Sequence, residues 1–297
     1  MQFVRSFQPS RCLPGLAALA LPAAFGLALC LANSAVAGSN QLSAVEDSHG
    51  ATAPAAQEEP AAASHGTSNA AHGWGYQGNS GPQFWGDLQR DYHLCKAGNT
   101  QSPIDLTGAE GGVPAQIEFD YHLTPLSIVN NGHTIQVNYA PGSGITINGK
   151  RYELLQFHFH TPSEHAIEGG RSAMEMHLVH KNTAGQLAVI GIMMNLGEEN
   201  MALSEIWPQL PRRAGDEQKI KGVLVNARDF LPRNATYFRY MGSLTTPPCS
   251  EGVNWYVMNT PVTVSVAQVE SFARIIGENA RPLQAINNRL ILGPIVD

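Results

Sequence analysis

Apolar residues in the larger, C-terminal part of the chain fall in short runs that are broken by Gly, Pro and Asn. Such runs, of strand length and rich in β-branched and aromatic residues, predict β-strands. The clearest are LSIVNNGHTIQVNYA, GITINGKRYELLQFHFH, MEMHLVH, LAVIGIMM and VNWYVMN, all within residues 126–259. The pattern therefore predicts one mainly β domain over residues 72–297.

Helical periodicity is confined to two segments of that domain. In the first, apolar side chains recur at i, i+3, i+4 and i+7, as Val269, Phe272, Ala273 and Ile276. Ser265 is a suitable N-cap for this helix, and Gly277 is placed to end it. The second segment is the shorter ALSEIW, which stops at Pro208.

The hydrophobic pattern changes twice before residue 72. Residues 1–37 have a basic start, an apolar run to about Ala32 and the small-residue triplet Ala35-Val36-Ala37, which predicts a secretory signal peptide. A retained membrane anchor and lipid attachment at Cys30 are the alternatives. Residues 38–71 hold almost no large apolar side chain, which predicts a flexible Ala/Ser/Gly-rich linker. We therefore expect an exported protein, periplasmic or secreted, without a membrane span after signal removal.

Charge and cysteine usage narrow the class of protein further. The net charge of -6 gives no basic field for phosphate backbones, so we expect no nucleic-acid partner. Removal of the signal peptide leaves Cys95 and Cys249. An even pair in an exported protein predicts a disulfide, with two buried thiols as the alternative.

The stretch QFHFHTPSEH, residues 156–165, concentrates histidines on one strand and the turn after it. Side chains alternate between the faces of a strand, so His158 and His160 share a face, while Phe157 and Phe159 point to the other. We expect the phenylalanines to anchor the strand in a core behind the two imidazoles.

The run EMHLVH, residues 175–180, supplies a third histidine. Antiparallel pairing with the earlier run, through the connection AIEGGRS, would place His177 beside His158 and His160. Three neutral imidazoles around an open fourth position are typical of a catalytic zinc site. Alternation of side chains along the strands does not exclude His165, which is the alternative to His177 as the third ligand.

Two polar residues are placed to orient these ligands. Gln156 and Glu175 each lie two residues from a histidine on the same strand face. At that position a carbonyl or carboxylate oxygen can accept the spare ring N–H and fix the tautomer of the imidazole.

In order along the chain, QFHFH, SEH, EMHLVH, LAVIGI and GSLTTPPCSEGVNWYV resemble the signature segments of the α-class carbonic anhydrases. HGWGYQGNSGPQFWGDL, QSPIDL, NNGH and NARPLQ extend the resemblance over residues 72–297. It implies a mainly β (α+β) single domain around a large, mostly antiparallel, twisted ten-stranded sheet with short peripheral helices. The short span between His160 and His177, and Cys95 with Cys249 as a matching disulfide pair, resemble bacterial exported members.

The resemblance implies a lyase, carbonate dehydratase, that hydrates CO2 reversibly to bicarbonate and a proton. Its Zn²⁺ would be held by His158, His160 and His177, and the attacking group would be zinc-bound hydroxide. Gln156, Glu175 and the backbone carbonyl of Asn279 match the residues that orient those ligands. CO2 and bicarbonate are the implied small-molecule partners, and the chain would be a monomer or a homodimer.

Further roles are implied position by position. Thr245 matches the residue that accepts a hydrogen bond from the hydroxide, and Glu164 matches the carboxylate that accepts from that threonine. His133 matches the proton shuttle, although an ordinary turn residue is the alternative. The residues that would order the water chain are Tyr76, Asn131 and Gln136. The residues that would receive CO2 or contact bicarbonate are Val179, Val189, Leu244, Thr246, Val253 and Trp255, although the apolar ones would be core residues in any β protein.

Two other functions are weighed against CO2 hydration. A non-catalytic binding module of the same fold would lack a zinc ligand, and the histidines here are intact. A zinc hydrolase acting mainly on an ester is the second, and the resemblance itself allows a side esterase activity. A pocket built from valines suits a small linear substrate better than a bulky ester.

Overall fold

The computed structural model of the chain describes residues 73–112 and 115–294. The predicted signal peptide, the predicted linker and the predicted domain start at His72 all lie outside the described residues. Within the described ranges, no helix combines the length and the apolar character needed to cross a bilayer.

Thirteen strands are present in the described part of the chain, and they form a single sheet. They are β1 (Glu110–Gly111), β2 (Ile117–Asp120), β3 (Thr124–Asn130), β4 (Ile135–Asn138), β5 (Gly144–Ile147), β6 (Lys150–His160), β7 (Met174–Lys181), β8 (Leu187–Leu196), β9 (Glu217–Val225), β10 (Tyr237–Ser243), β11 (Glu251–Met258), β12 (Val262–Val264) and β13 (Leu292–Gly293). The five predicted strand runs are confirmed: the first two each contain a pair of strands, and the others contain β7, β8 and β11.

Ten strands follow one continuous order, β1-β13-β10-β11-β8-β7-β6-β4-β3-β9, while β2, β5 and β12 attach beside it. Among these pairings β1/β13, β8/β11 and β8/β12 are parallel. The remaining pairs are antiparallel, so the large, mostly antiparallel sheet with short helices is confirmed. Ten strands form its continuous order, as expected, but the sheet has thirteen strands in the described residues. Of the three additional strands, β5 lies in a predicted run, whereas β2 and β12 are too short to show in the hydrophobic pattern.

Alternating side chains of the central strands fill two apolar clusters. Phe157 and Phe159 of β6 pack with Met176 and Leu178 of β7 in the larger cluster. The smaller cluster takes residues of the opposite parity, including Val189 of β8. Because successive side chains point to opposite faces, the two clusters lie on opposite sides of the sheet. The expectation that the phenylalanines anchor β6 behind the histidines is confirmed.

Four short α-helices lie in the described residues: α1 (Trp85–Leu88), α2 (Leu94–Ala97), α3 (Met201–Ser204) and α4 (Val266–Ile276). Single 3-10 turns span Gly78–Ser80, Pro82–Phe84, Arg90–Tyr92, Trp207–Gln209 and Ala227–Phe230. The prediction of α4 is confirmed: Ser265 and Gln268 form a capping box, and Gly277 ends the helix with φ 80°. The second predicted helix is shorter than expected, because Pro208 has no N–H to donate to the carbonyl of Ser204.

The predicted disulfide between Cys95 and Cys249 is present, with their Cα atoms 5.0 Å apart. It joins α2 to the loop between β10 and β11. Trp85 and Tyr92 surround it in a third, small apolar cluster. The bond therefore fixes the N-terminal helices to the loop that also carries Thr245.

Candidate metal centre

Antiparallel pairing of β6 and β7 brings three histidines together. His158 lies directly opposite His177, and His160 lies opposite Glu175. The ring centroids are 5.0 Å apart for His158 and His160, 5.2 Å for His158 and His177, and 4.6 Å for His160 and His177. One ring nitrogen from each histidine lies within 4.8 Å of the other two, close enough for a shared metal ion.

Hydrogen bonds outside the cluster determine which ring nitrogens face its centre on β6. His158 Nδ1 donates to Gln156 Oε1 at 2.9 Å. His160 Nδ1 donates to the backbone carbonyl of Asn279 at 2.8 Å. In a neutral imidazole the other nitrogen then carries a lone pair, so Nε2 of both residues is available to a metal.

On β7 the assignment is reversed. His177 Nε2 donates to Glu175 Oε1 at 2.9 Å, which leaves Nδ1 with the lone pair. The structure therefore places all three predicted orienting groups, Gln156, Glu175 and the Asn279 carbonyl, against the histidines for which they were proposed.

His165, the alternative third ligand, has both ring nitrogens in hydrogen bonds. Its Nδ1 lies 2.8 Å from Glu175 Oε1, and its Nε2 lies 2.6 Å from the Tyr240 hydroxyl. Its backbone N–H also donates to Glu175 Oε2 at 2.8 Å. His165, Glu175 and His177 are close enough to form a second metal-binding group, but their polar atoms are already used within the protein. This geometry favours His177 as the third ligand.

Burial keeps the three imidazoles neutral, which is the form that binds metals. It lowers the pKa of His158 well below the usual value, with further lowering by the two neighbouring imidazoles. It lowers the pKa of His160 to about 4 against the raising effect of the Asn279 carbonyl. Burial also lowers the pKa of His177, opposed by Glu175.

Two buried side-chain atoms of the described residues have no hydrogen-bond partner, and both are at this site: His160 Nε2 and Glu164 Oε2. Buried polar atoms are nearly always paired, so an unpaired imidazole nitrogen close to two other imidazole nitrogens is typical of a metal ligand. Three neutral nitrogen donors fit a zinc ion of the catalytic type.

Glu164 lies directly beside the histidines. Its Oε2 is 3.5 Å from His160 Nε2 and 3.9 Å from His177 Nδ1, while its Oε1 accepts the Arg281 N–H at 2.9 Å. Burial raises the pKa of the Glu164 carboxyl, and His177, the Thr245 hydroxyl and the Arg281 N–H act against that shift. Thr245 is therefore close to the predicted partner carboxylate, and it is itself buried.

The side chains predicted to form the CO2 pocket belong to one apolar cluster, the smaller of the two beside the sheet. Its buried members among them are Val189, Val253 and Trp255, and its partly buried ones are Val179 and Leu244. The Trp255 ring centroid lies 4.8 Å from that of His177, so this cluster borders the metal centre. Thr246 follows Thr245 in the loop, and its carbonyl accepts the Cys249 N–H at 2.8 Å.

His133, the predicted proton shuttle, lies in the turn between β3 and β4. Its ring stacks on Trp74 with centroids 3.7 Å apart and 9° between the planes. Asn131 Oδ1 accepts the N–H groups of His133 and Thr134, each at 2.9 Å, so this side chain shapes the turn. The turn is thus fixed both by its own hydrogen bonds and by the stacked tryptophan.

The other predicted water-network residues also lie near the site. Gln136 of β4 pairs with His158 of β6, and its Nε2 donates to Asn138 Oδ1 at 2.7 Å. Tyr76 packs edge-on against Trp74, the ring on which His133 stacks. Burial raises the pKa of the Tyr76 hydroxyl well above its usual value, and Glu164 raises it further.

Two residues of the NARPLQ motif have roles that the sequence did not reveal. The Asn279 side chain donates to the His133 carbonyl and to the Phe159 carbonyl, each at 3.0 Å, so it links the turn to the end of β6. The buried Arg281 guanidinium donates to the Cys95 carbonyl at 2.9 Å and thereby connects the disulfide to Glu164. These contacts join residues over 100 positions apart, and only the motif itself pointed to them.

Comparison with known proteins agrees with this geometry. A family model described as eukaryotic-type carbonic anhydrase matches residues 80–293. A carbonic anhydrase of Nostoc sp. is 44% identical over 227 residues, which are 75% of this chain and 86% of the relative. The structure of a hyperthermostable carbonic anhydrase from a hydrothermal vent chimney is 46% identical, with a TM-score of 0.73 over 75% of this chain and 100% of that one. The α-carbonic anhydrase of Thermovibrio ammonificans, solved with the inhibitor sulfanilamide, is 41% identical, with a TM-score of 0.72 over 74% of this chain and 98% of that one.

Proposed function

The chain belongs to the eukaryotic-type, or α-class, carbonic anhydrase family, and from that premise we propose that it is a zinc enzyme whose ligands are His158, His160 and His177. Membership assigns carbonic anhydrase activity. The metal, the residues and their roles are the proposal. The observation that carries it is the unpaired, buried Nε2 of His160, directed at two further imidazoles whose other nitrogens are held by acceptors.

Zinc in such a site lowers the pKa of a coordinated water so that hydroxide is available near neutral pH, for which carbonic anhydrase is itself the standard example. The protein must supply the ligand geometry, the orientation of the attacking oxygen, a dry pocket for CO2 and a route for the proton.

Thr245 and Glu164 supply the orientation. With Glu164 ionised, the Thr245 hydroxyl can only donate its proton to that carboxylate. The threonine oxygen then has only lone pairs to offer, so it accepts a hydrogen bond from the attacking group and orients it toward carbon. The Arg281 N–H holds the other carboxylate oxygen at 2.9 Å and keeps Glu164 in position for this role.

The smaller apolar cluster supplies the pocket. CO2 is small, linear and without a net dipole, so it is matched by valine and tryptophan side chains and not by hydrogen-bond donors. Val189, Val253 and Trp255 are almost fully buried, and Trp255 contacts His177. We assign Val179 and Leu244 to the same pocket, and Thr246 to contact with bicarbonate.

His133 is assigned to proton removal, with Tyr76, Asn131 and Gln136 ordering the intervening water. An imidazole whose pKa is near neutrality can both accept and release the proton. The register supports this placement, because His133 is three residues before Gln136, which pairs with the ligand His158.

The domain layout is a further part of the proposal: a signal peptide over residues 1–37, a linker over residues 38–71 and the enzyme over residues 72–297. The disulfide between Cys95 and Cys249 supports export, since such bonds persist in oxidising compartments. We propose the periplasm, or secretion, as the location.

Removal and replacement of the metal test the proposed function. The protein is stripped with a chelator, titrated with zinc and assayed for CO2 hydration by stopped flow, with metal content measured on the same samples. We expect activity to disappear on stripping and to return in proportion to zinc, up to equimolar metal. Full hydration by the stripped protein would contradict the proposal, and a zinc-loaded but inactive protein would instead favour the binding module.

A second assay distinguishes the ester-hydrolase alternative. Hydration of CO2 and hydrolysis of an aryl ester are compared on the same preparation, with sulfanilamide added in parallel, because a related enzyme is known in complex with that inhibitor. We expect CO2 hydration to dominate and sulfanilamide to inhibit both activities. Ester hydrolysis that exceeds hydration would favour the hydrolase.

A further inference from the structure

A chain of buried side chains leads away from His177, starting at the ring nitrogen that does not face the metal centre. His177 Nε2 lies 2.9 Å from Glu175 Oε1, which lies 2.8 Å from His165 Nδ1. His165 Nε2 lies 2.6 Å from the Tyr240 hydroxyl, which lies 2.7 Å from Ser102 Oγ. Each of these five side chains is at most 2% exposed, so water does not replace any of the bonds.

Backbone groups fix the far end of this chain. The Ser243 N–H donates to Ser102 Oγ at 3.0 Å, and the Ser102 N–H donates to Ser243 Oγ at 2.8 Å. Ser102 Oγ therefore already accepts a hydrogen bond and has its own proton to give to the Tyr240 oxygen. Two reciprocal hydrogen bonds between Ser102 and Ser243 thus hold the far end of the chain.

The donors then run in one direction toward the carboxylate. Burial raises the pKa of the Tyr240 hydroxyl well above its usual value, so it keeps its proton and donates to His165 Nε2. His165 must then carry its own proton on Nδ1, where it donates to Glu175. With Tyr240 as donor, the tautomer of His165 is the one that Glu175 needs.

Two glycines leave the space that the chain occupies. A Cβ atom at Gly242 would clash with Ser102 Oγ and lie 2.7 Å from the Tyr240 ring. A Cβ atom at Gly191, which pairs with His177 across β7 and β8, would lie 2.9 Å from Glu175 Oε1. A side chain at Gly242 would therefore displace Tyr240 or Ser102, and one at Gly191 would displace Glu175.

We propose that Tyr240 is a positioning residue for the metal site, acting on His177 through His165 and Glu175. The inference rests on the proposed function, since it requires His177 to be a ligand. Without the tyrosine hydroxyl, His165 Nε2 becomes a buried acceptor with no donor. The imidazole is then no longer held at Nε2, and any turn of the ring toward another donor weakens the Nδ1–H bond to Glu175. The carboxylate then holds His177 less firmly, and the metal leaves faster.

The test compares two tyrosines that each lose a buried hydroxyl. Tyr240→Phe breaks the chain, whereas Tyr139→Phe removes a hydroxyl that is bonded to the His122 carbonyl and the Ala227 N–H in the larger apolar cluster. Three properties of the full-length protein are measured: the rate of zinc release into excess chelator, the visible spectrum after cobalt substitution, and the melting temperature. We expect Tyr240→Phe to release zinc about tenfold faster, the lower end of the range for groups outside the ligand shell, and to alter the cobalt spectrum.

Tyr139→Phe should lower the melting temperature while leaving zinc release and the cobalt spectrum as in the wild type. Ser102→Ala, one link further from the metal, should accelerate release by less than Tyr240→Phe, and it replaces that variant if the latter does not fold. The inference would be overturned if Tyr240→Phe and Ser102→Ala released zinc at the wild-type rate, or if Tyr139→Phe accelerated zinc release as much as they do. A wild-type protein that binds no zinc would overturn the proposed function and this inference with it, so the two failures are distinguishable.

Discussion

At the scale of single residues, Thr245 is the sharpest test of how the attacking oxygen is oriented. Thr245→Ala should reduce CO2 hydration on the order of 10²-fold, since misorientation of a reacting group typically has that effect. Zinc content should stay at the wild-type level, because Thr245 is not among the three histidine ligands. Thr245→Ser is the matched control, since it keeps the hydroxyl beside Glu164, and it should retain most of the rate. An alanine variant as fast as the wild type would remove Thr245 from the mechanism.

His133→Ala should slow turnover mainly in dilute buffer, where the protein's own proton acceptor limits the rate. Added imidazole should restore the rate, measured by stopped flow at several buffer concentrations. His122→Ala is the control, because His122 is an exposed histidine that precedes the start of β3, whereas His133 follows its end. If imidazole fails to rescue His133→Ala, or if His122→Ala shows the same buffer dependence, the shuttle assignment is wrong.

The alternation of side chains along the strands predicted only some of the histidines of the candidate metal site. Parity placed His158 and His160 on one face, because both lie on β6, and pairing with β7 added His177. It could not distinguish His165, which follows the end of β6. What distinguishes His165 from the three clustered histidines is its bond to Tyr240, 75 residues away, and no local pattern carries information over that distance.

At the scale of elements, the disulfide is expected to stabilise the fold. Replacing both cysteines, as Cys95→Ala with Cys249→Ala, should lower the free energy of unfolding by about 2–5 kcal/mol, measured in denaturant. The physical reason is that the cross-link restricts the unfolded chain over 154 residues of sequence. Wild-type protein with reductant should approach the variant, and reductant should not change the variant itself. Equal unfolding midpoints for the variant and the oxidised wild type would contradict this.

Elements with strong periodicity were predictable, and those with weak periodicity were not. β6, β7 and β8 carry continuous apolar faces, so their existence followed from composition and alternation alone. β9, at one edge of the continuous strand order, has a mostly exposed sequence, EQKIKGVLV, and β3 is its one partner among the described strands. Its position depends on long-range pairing and not on its own pattern, which explains why it was not among the predicted runs.

At the scale of the whole molecule, burial of neutral histidines should make the fold acid-sensitive. His180 is fully buried: its Nδ1 donates to the Ala188 carbonyl at 3.2 Å, and the Tyr121 hydroxyl donates to its Nε2 at 2.9 Å. Burial lowers the pKa of His180 to about 3, with a smaller lowering by Arg151. In the unfolded chain the same imidazole titrates near pH 6.5.

Between these two pKa values the unfolded state binds the proton and the folded state does not. Stability is therefore complete above about pH 6.5 and falls as the pH decreases toward 3, with a slope approaching about 1.4 kcal/mol per pH unit for this residue. Urea unfolding at a series of pH values measures the slope. His180→Gln keeps a donor and an acceptor without the titration, so the variant should show a shallower dependence. Identical slopes would show that His180 does not contribute.

The overall architecture followed from the sequence more securely than the connections between its distant parts. Runs of apolar residues predicted a mainly β domain, and the resemblance added that its strands form one large, mostly antiparallel sheet. The links that the sequence did not reveal, such as the Asn279 side chain to Phe159 and the Arg281 N–H to Glu164, join the end of the chain to its middle. Only the folded chain shows such contacts, because they depend on where loops return to the sheet.

The most direct test of the account is the position of the metal itself, located by anomalous diffraction at the zinc edge in crystals of the zinc-loaded protein. We predict a single peak within the described domain, about 2.0–2.1 Å from Nε2 of His158, Nε2 of His160 and Nδ1 of His177. A peak coordinated by His165 or Glu175, or one bound through the opposite ring nitrogens, would contradict the assignment that the surrounding hydrogen bonds make.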